Sequence, residues 1–145
     1  MNDIDSLLSN LHHKNYPVRR HAIDVLSETH DPRAVDALIV LLNDSDGENY
    51  TDAIEALGKT GDPQVLEHLL RELCKTKVGW DDFYIRVALA NAFGELGDPR
   101  AIPDLELLVS TDMQEFDAWG TGVGISIAEF ARTAIKRIRR KAKRK

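Results

Sequence analysis

Cysteine is almost missing from this chain: Cys74 is the only one in 145 residues. That excludes an internal disulfide and any cysteine-rich zinc site. No apolar run approaches the ~18 residues of a membrane span. The start, Met1-Asn2-Asp3-Ile4-Asp5, is acidic where a secretory leader would be basic. There is no glycine-rich phosphate loop and no nucleophile elbow. Aromatic residues number nine, and acids stop altogether at Glu129. These absences exclude membrane and disulfide-scaffold classes. The expectation is one soluble domain over residues 1–145 in the cytoplasm.

Charge is the first thing the chain does have, and it is unevenly placed. The net charge is −5, yet nine Lys/Arg and no acid occupy Arg132 to Lys145. The remainder carries ten basic residues against 24 acidic ones, a balance of −14. An acidic body repels phosphate backbones, so nucleic acid is expected only through the basic tail. Residues 139–145 read as a basic terminal tract that frays. Basic residues suit a helix C-terminus, where they complement the dipole and keep the helix soluble. The other reading is an acidic partner; a membrane is not expected, because the tract lacks an apolar flanking face.

The second thing it has is a repeat. Asp-Pro occurs at 31–32, 62–63 and 98–99. Nine residues before each Asp stand Ala22, Ala53 and Leu89; five before stand Leu26, Leu57 and Phe93. Four after stand Val35, Leu66 and Ile102; seven after stand Leu38, Leu69 and Leu105; eleven after stand Leu42, Leu73 and Val109. These spacings predict two amphipathic helices flanking each Asp-Pro. Gly58 and Gly61, then Gly94 and Gly97, stop the first helix. Asp then caps the second and Pro suits its first turn. In the first unit Ser27 and His30 stand in place of the two glycines, which predicts a less ideal turn. Pro103 would break a helix begun at Asp98, so the regular helix is expected to start near Ala101.

Ile4, Leu7, Leu8 and Leu11 form a half-unit, a second helix lacking its first. The stretch Phe130-Ala131-Arg132-Thr133-Ala134-Ile135 parallels Val18-Arg19-Arg20-His21-Ala22-Ile23 and forms the opposite half-unit. Helices are expected near 3–13, 17–29, 32–43, 48–59, 63–76, 83–95, 100–110 and 122–141, with no strand. The predicted fold is all-α: a right-handed solenoid of stacked antiparallel helix pairs, about three full units and two terminal half-units.

The strings Ala-Leu-Gly-Lys-Thr-Gly-Asp-Pro (56–63) and Ala-Phe-Gly-Glu-Leu-Gly-Asp-Pro-Arg-Ala-Ile-Pro (92–103) resemble HEAT repeats of the phycobilisome-lyase type. The resemblance runs over about residues 4–142. It implies the solenoid and, for function, most often a protein-binding scaffold; some family members act as bilin lyase subunits. Some HEAT-repeat enzymes hold a di-iron centre through repeated His-Glu pairs. This chain has none, and His12, His13, His21, His30 and His68 stand apart from any repeated carboxylate. No metal or cofactor is expected, and packing is the expected role of Cys74.

One acidic stretch resembles an EF-hand loop: Asp44, Asp46, Glu48, Asp52 and Glu55 fall at ligand positions. Asn49 stands where that loop needs glycine, and the repeat register places Asp52 and Glu55 on a helix, which cannot wrap a cation. The aromatics carry more. Seven of nine fall between units or at the start of a first helix, among acids. Two readings stand: rings that plug gaps between units beside helix-capping aspartates, or an exposed acidic-aromatic edge. On the second, Tyr50, Trp80, Asp81, Asp82, Tyr84, Asp117 and Trp119 bind a basic segment of another protein. That segment could be the basic tract of a second copy, giving a monomer in weak exchange with homo-oligomers. Polar positions on the second helices, Asp36, Glu67, His68, Arg71 and Asp104, are expected to line the concave side. The expected activity is therefore non-catalytic: a scaffold or adaptor for a partner protein. The alternative, from the resemblance alone, is a subunit or chaperone of a phycobilin lyase.

Overall fold

A computed structural model describes residues 3–43, 49–79, 81–112, 115–116, 120 and 124–145. Among the described residues eight α-helices follow one another: α1 (Ile4–Asn10), α2 (Tyr16–Glu28), α3 (Pro32–Leu41), α4 (Tyr50–Thr60), α5 (Val65–Lys75), α6 (Phe83–Leu96), α7 (Ile102–Thr111) and α8 (Ile127–Lys143). The first helices of the units, α2, α4, α6 and α8, pack in sequence against each other. The second helices α3 and α5 each pack between the first helices on either side, α7 packs chiefly on α8, and α1 packs on α2. This is the α-solenoid that the repeat predicts.

The repeated apolar positions make its core. Ala22, Ala53 and Leu89 are fully buried, as are Leu57, Phe93, Leu38, Leu69 and Leu105. Each large side chain of this kind contributes roughly 1.5–3 kcal/mol by leaving water. The last repeated position behaves differently along the array. Leu42 is buried in unit one, whereas Leu73 and Val109 are only partly covered.

The turns follow from their residues. Gly61 (φ 68°) and Gly97 (φ 73°) end α4 and α6 in the left-handed conformation. His30 adopts the same conformation at φ 53°, where a side chain is strained. The aspartate side chains then accept backbone N–H bonds two residues on: Arg33 to Asp31 at 2.8 Å, Gln64 to Asp62 at 2.9 Å and Arg100 to Asp98 at 2.9 Å. Pro99–Ala101 forms a single 3-10 turn before α7, so Pro103 falls in the first turn, where no hydrogen bond is lost.

Most helix boundaries fall within two residues of the sequence expectation, but α1 ends at Asn10 rather than 13, and the start of α8 and one element differ more. α4 starts at Tyr50 rather than 48, and α8 starts at Ile127 rather than 122. Ahead of α8 lies an antiparallel pair, β1 (Glu115–Phe116) with β2 (Ile125–Ser126), where no strand was expected. Two residues are too few to show a period-2 pattern. The tract from Arg139 is helical as far as Lys143, and Lys141 Nζ donates to the Glu95 carbonyl at the end of α6.

Candidate interaction surface

Twelve residues before each Asp-Pro aspartate stand Arg19, Tyr50 and Arg86. In the first turn or two of a first helix, this position points into the junction between units. Arg19 donates from Nε to Asn49 Oδ1 at 3.0 Å, and from Nη1 to the carbonyls of His13 (2.9 Å) and Lys14 (3.2 Å). Arg86 Nε lies 2.8 Å from Asp112 Oδ2, with side chains only 6% and 3% exposed. This contact is an ion pair whose N–H is not aligned for a hydrogen bond. Tyr50 donates its hydroxyl to Glu72 Oε2 at 2.5 Å, and Glu72 Oε1 accepts from Lys75 at 2.7 Å. Burial, then this bond, then the nearby Asp82 charge hold the Tyr50 hydroxyl well above its ordinary pKa.

Of the seven residues expected at an acidic-aromatic edge, Trp80, Asp117 and Trp119 lie outside the described residues. Tyr50 is half-buried in the clasp just described. Asp82 is half-buried too; its Oδ2 accepts from the Lys77 backbone N–H at 2.7 Å and closes the connection between α5 and α6. Asp81 is exposed, and Tyr84 is 64% exposed, with its ring edge-on to buried Phe83 at 5.5 Å. The structure thus brings Tyr50, Glu72 and Asp82 into one neighbourhood, and leaves Asp81 and Tyr84 facing solvent.

The second helices present a further surface. Five, nine and twelve residues after each aspartate fall on one outward helical stripe. These are Asp36, Val40 and Asn43 on or just past α3; Glu67, Arg71 and Cys74 on α5; and Pro103, Leu107 and Ser110 on α7. All nine are exposed. His68 and Asp104 are half-buried beside this stripe. Val40 and Leu107 occupy equivalent positions and are each 60% exposed. Cys74 is exposed, so packing does not explain it. It stands one residue past the partly covered Leu73, which turns it about 100° away from the core.

Between α5 and α7 the stack opens into a groove of about 280 Å³. Leu73, Cys74 and Thr76 form one wall, and Asp104, Leu107, Leu108 and Thr111 the other. Val78, 52% exposed, rims it from the clipped connection. Arg86, buried in its pair with Asp112, lines the groove from α6. Composition and ring positions alone did not reveal Val78 and Leu107; an apolar residue two past core Leu105, off the helical core face, was the available signal.

Of the EF-hand-like stretch, residues 44–48 lie outside the described residues. Asp52 and Glu55 are on α4. Asp52 accepts from the Tyr16 hydroxyl at 2.8 Å and pairs with Arg20, which also approaches Glu55 at 3.9 Å. Among the described residues no group of three or more His, Cys, Asp or Glu is placed to hold a metal ion, and no helix is long and apolar enough to cross a membrane.

Comparison with family models gives two matches. Residues 4–81 match the model of HEAT repeats, and residues 85–111 match that of the PBS lyase HEAT-like repeat. A search of curated proteins finds no match to the chain.

Proposed function

The chain belongs to the HEAT-repeat family, and from that premise we propose that it is a non-catalytic scaffold that docks a partner protein over the α5–α7 groove. HEAT repeats in general mediate protein–protein interaction. The observation that carries the reading here is the exposed apolar pair Leu107 and Val78 on either side of that groove. Exposed apolar residues clustered around a cleft and rimmed by polar groups mark interaction sites. Asp104 supplies negative charge in its wall. The partner segment is therefore apolar with a basic flank, its cation steered by the Asp104 carboxylate. Tyr50, engaged with Glu72, holds the junction rather than the partner.

The test is retention of a partner from the source cell by the tagged chain, compared with Leu107→Asp. The variant should lose the protein that the unaltered chain retains, while both keep the same circular dichroism spectrum. Equal retention removes the groove from the account. The match of residues 85–111 to the PBS lyase HEAT-like repeat favours a second reading, a subunit or chaperone in bilin attachment. Incubation with a linear tetrapyrrole separates the two: a stoichiometric change in visible absorbance supports the second reading, and an unchanged spectrum the first.

A further inference from the structure

A second groove lies between α7 and α8, with the opposite electrostatic character. We propose that it binds an acidic amphipathic helix of a partner protein. Val109 and Ile135 form its floor; Arg132, Lys136 and Arg139 line it from α8, and Glu106 from α7. Its volume is about 260 Å³, enough for side chains and not for a buried cofactor. Glu106 pairs with Arg139 at 3.3 Å and so neutralises one of the three cations. Arg132 and Lys136 are exposed and have no carboxylate partner among the described residues. They stand four residues apart on one helix, about 6 Å along its axis.

That spacing is the recognition element. Carboxylates at i and i+4 of a partner helix repeat at the same 6 Å pitch. Laid along the groove, such a helix sets its two acids against Arg132 and Lys136. Its apolar side chains, one turn apart on the same stripe, cover Val109, the repeated core position left partly open. This is the groove mode of helix recognition. Nucleic acid fits less well. Glu106 places a carboxylate in the wall, no aromatic follows Phe130 to stack a base, and the body carries −14. A membrane surface fits less well again, because Ile127, Ala131, Ala134 and Ile138 are buried in the solenoid and leave no face to insert.

The experiment uses the full chain and a fluorescein-labelled helical peptide with Glu at i and i+4 and Leu on the same stripe, followed by anisotropy. A peptide with Gln for Glu and a labelled DNA duplex run alongside. The Glu peptide should bind, the Gln peptide at least about tenfold more weakly. Arg132→Glu/Lys136→Glu should lower affinity for the Glu peptide by a further factor of about ten or more. Lys14→Glu/Lys77→Glu, which makes the same change of net charge on the exposed connections before α2 and before α6, outside the groove lining, should leave it within about twofold at moderate salt. Circular dichroism verifies that both double variants fold. Equal loss from the two double variants, equal binding of Glu and Gln peptides, or tighter binding of the duplex would each overturn the proposal.

Discussion

Gly58 of α4 sits against the backbone of Ala92 in α6, so closely that a Cβ on Gly58 would lie 2.6 Å from the Ala92 Cα. The two first helices can approach only because that position has no side chain. In an exposed helix interior, Gly→Ala gains up to about 1 kcal/mol. Here the sign reverses: Gly58→Ala should cost about 1–3 kcal/mol, the usual range for overpacking. Gly94→Ala meets Ala134 Cα at 3.1 Å and should cost less. Urea unfolding of both variants checks the order.

His30 holds a left-handed backbone where the equivalent residues are Gly61 and Gly97. Left-handed geometry costs a side chain about 1–2 kcal/mol, while glycine adds unfolded-chain entropy that offsets part of it. His30→Gly should therefore stabilise the fold by about 0.5–1 kcal/mol, read as a higher Tm.

Arg86 and Asp112 form a buried ion pair that ties the start of α6 to the end of α7. Asp112→Ala leaves a buried unpaired charge and should cost about 3–5 kcal/mol. Arg86→Met/Asp112→Leu removes both charges and should recover much of that loss. A double-mutant cycle in urea measures the coupling; simple additivity would show that the pair does not act as a unit.

The Arg100 guanidinium holds the Asp98 carboxyl below its ordinary pKa, and Arg33 does the same for Asp31. A carboxylate depressed in the folded state stabilises it fully above the unfolded pKa of about 3.9. That stabilisation is lost as pH falls through the folded value. Arg100→Gln should raise the Asp98 pKa, seen by carboxyl NMR titration, and move acid unfolding to higher pH.

Much of the fold was legible because the repeat is strict. Asp-Pro with glycines four and one residues before it fixes the turn, and the apolar residues at fixed offsets fix which faces meet. The functional surface was less legible, for physical reasons that differ by residue. Cys74 is one residue beyond a core position, and a shift of one residue swings a helical side chain into solvent. Tyr50 shares its repeat position with Arg19 and Arg86, so its inward role was visible in register but not in its chemistry. Leu107 reads as one more leucine in an apolar run until the helix phase is set. The groove itself exists because α5 and α7 stand apart, a distance between helices that no local pattern encodes.

Cys74 provides the most direct test of the binding surface, being the only cysteine and lining the α5–α7 groove. A benzophenone maleimide placed on it should photo-crosslink a discrete partner protein in extract of the source cell. The adduct should vanish with Leu107→Asp and be absent when the label sits at Glu95→Cys in a Cys74→Ser background, on the first-helix side. An adduct that persists with Leu107→Asp, or that forms equally from position 95, would contradict a docking site in this groove.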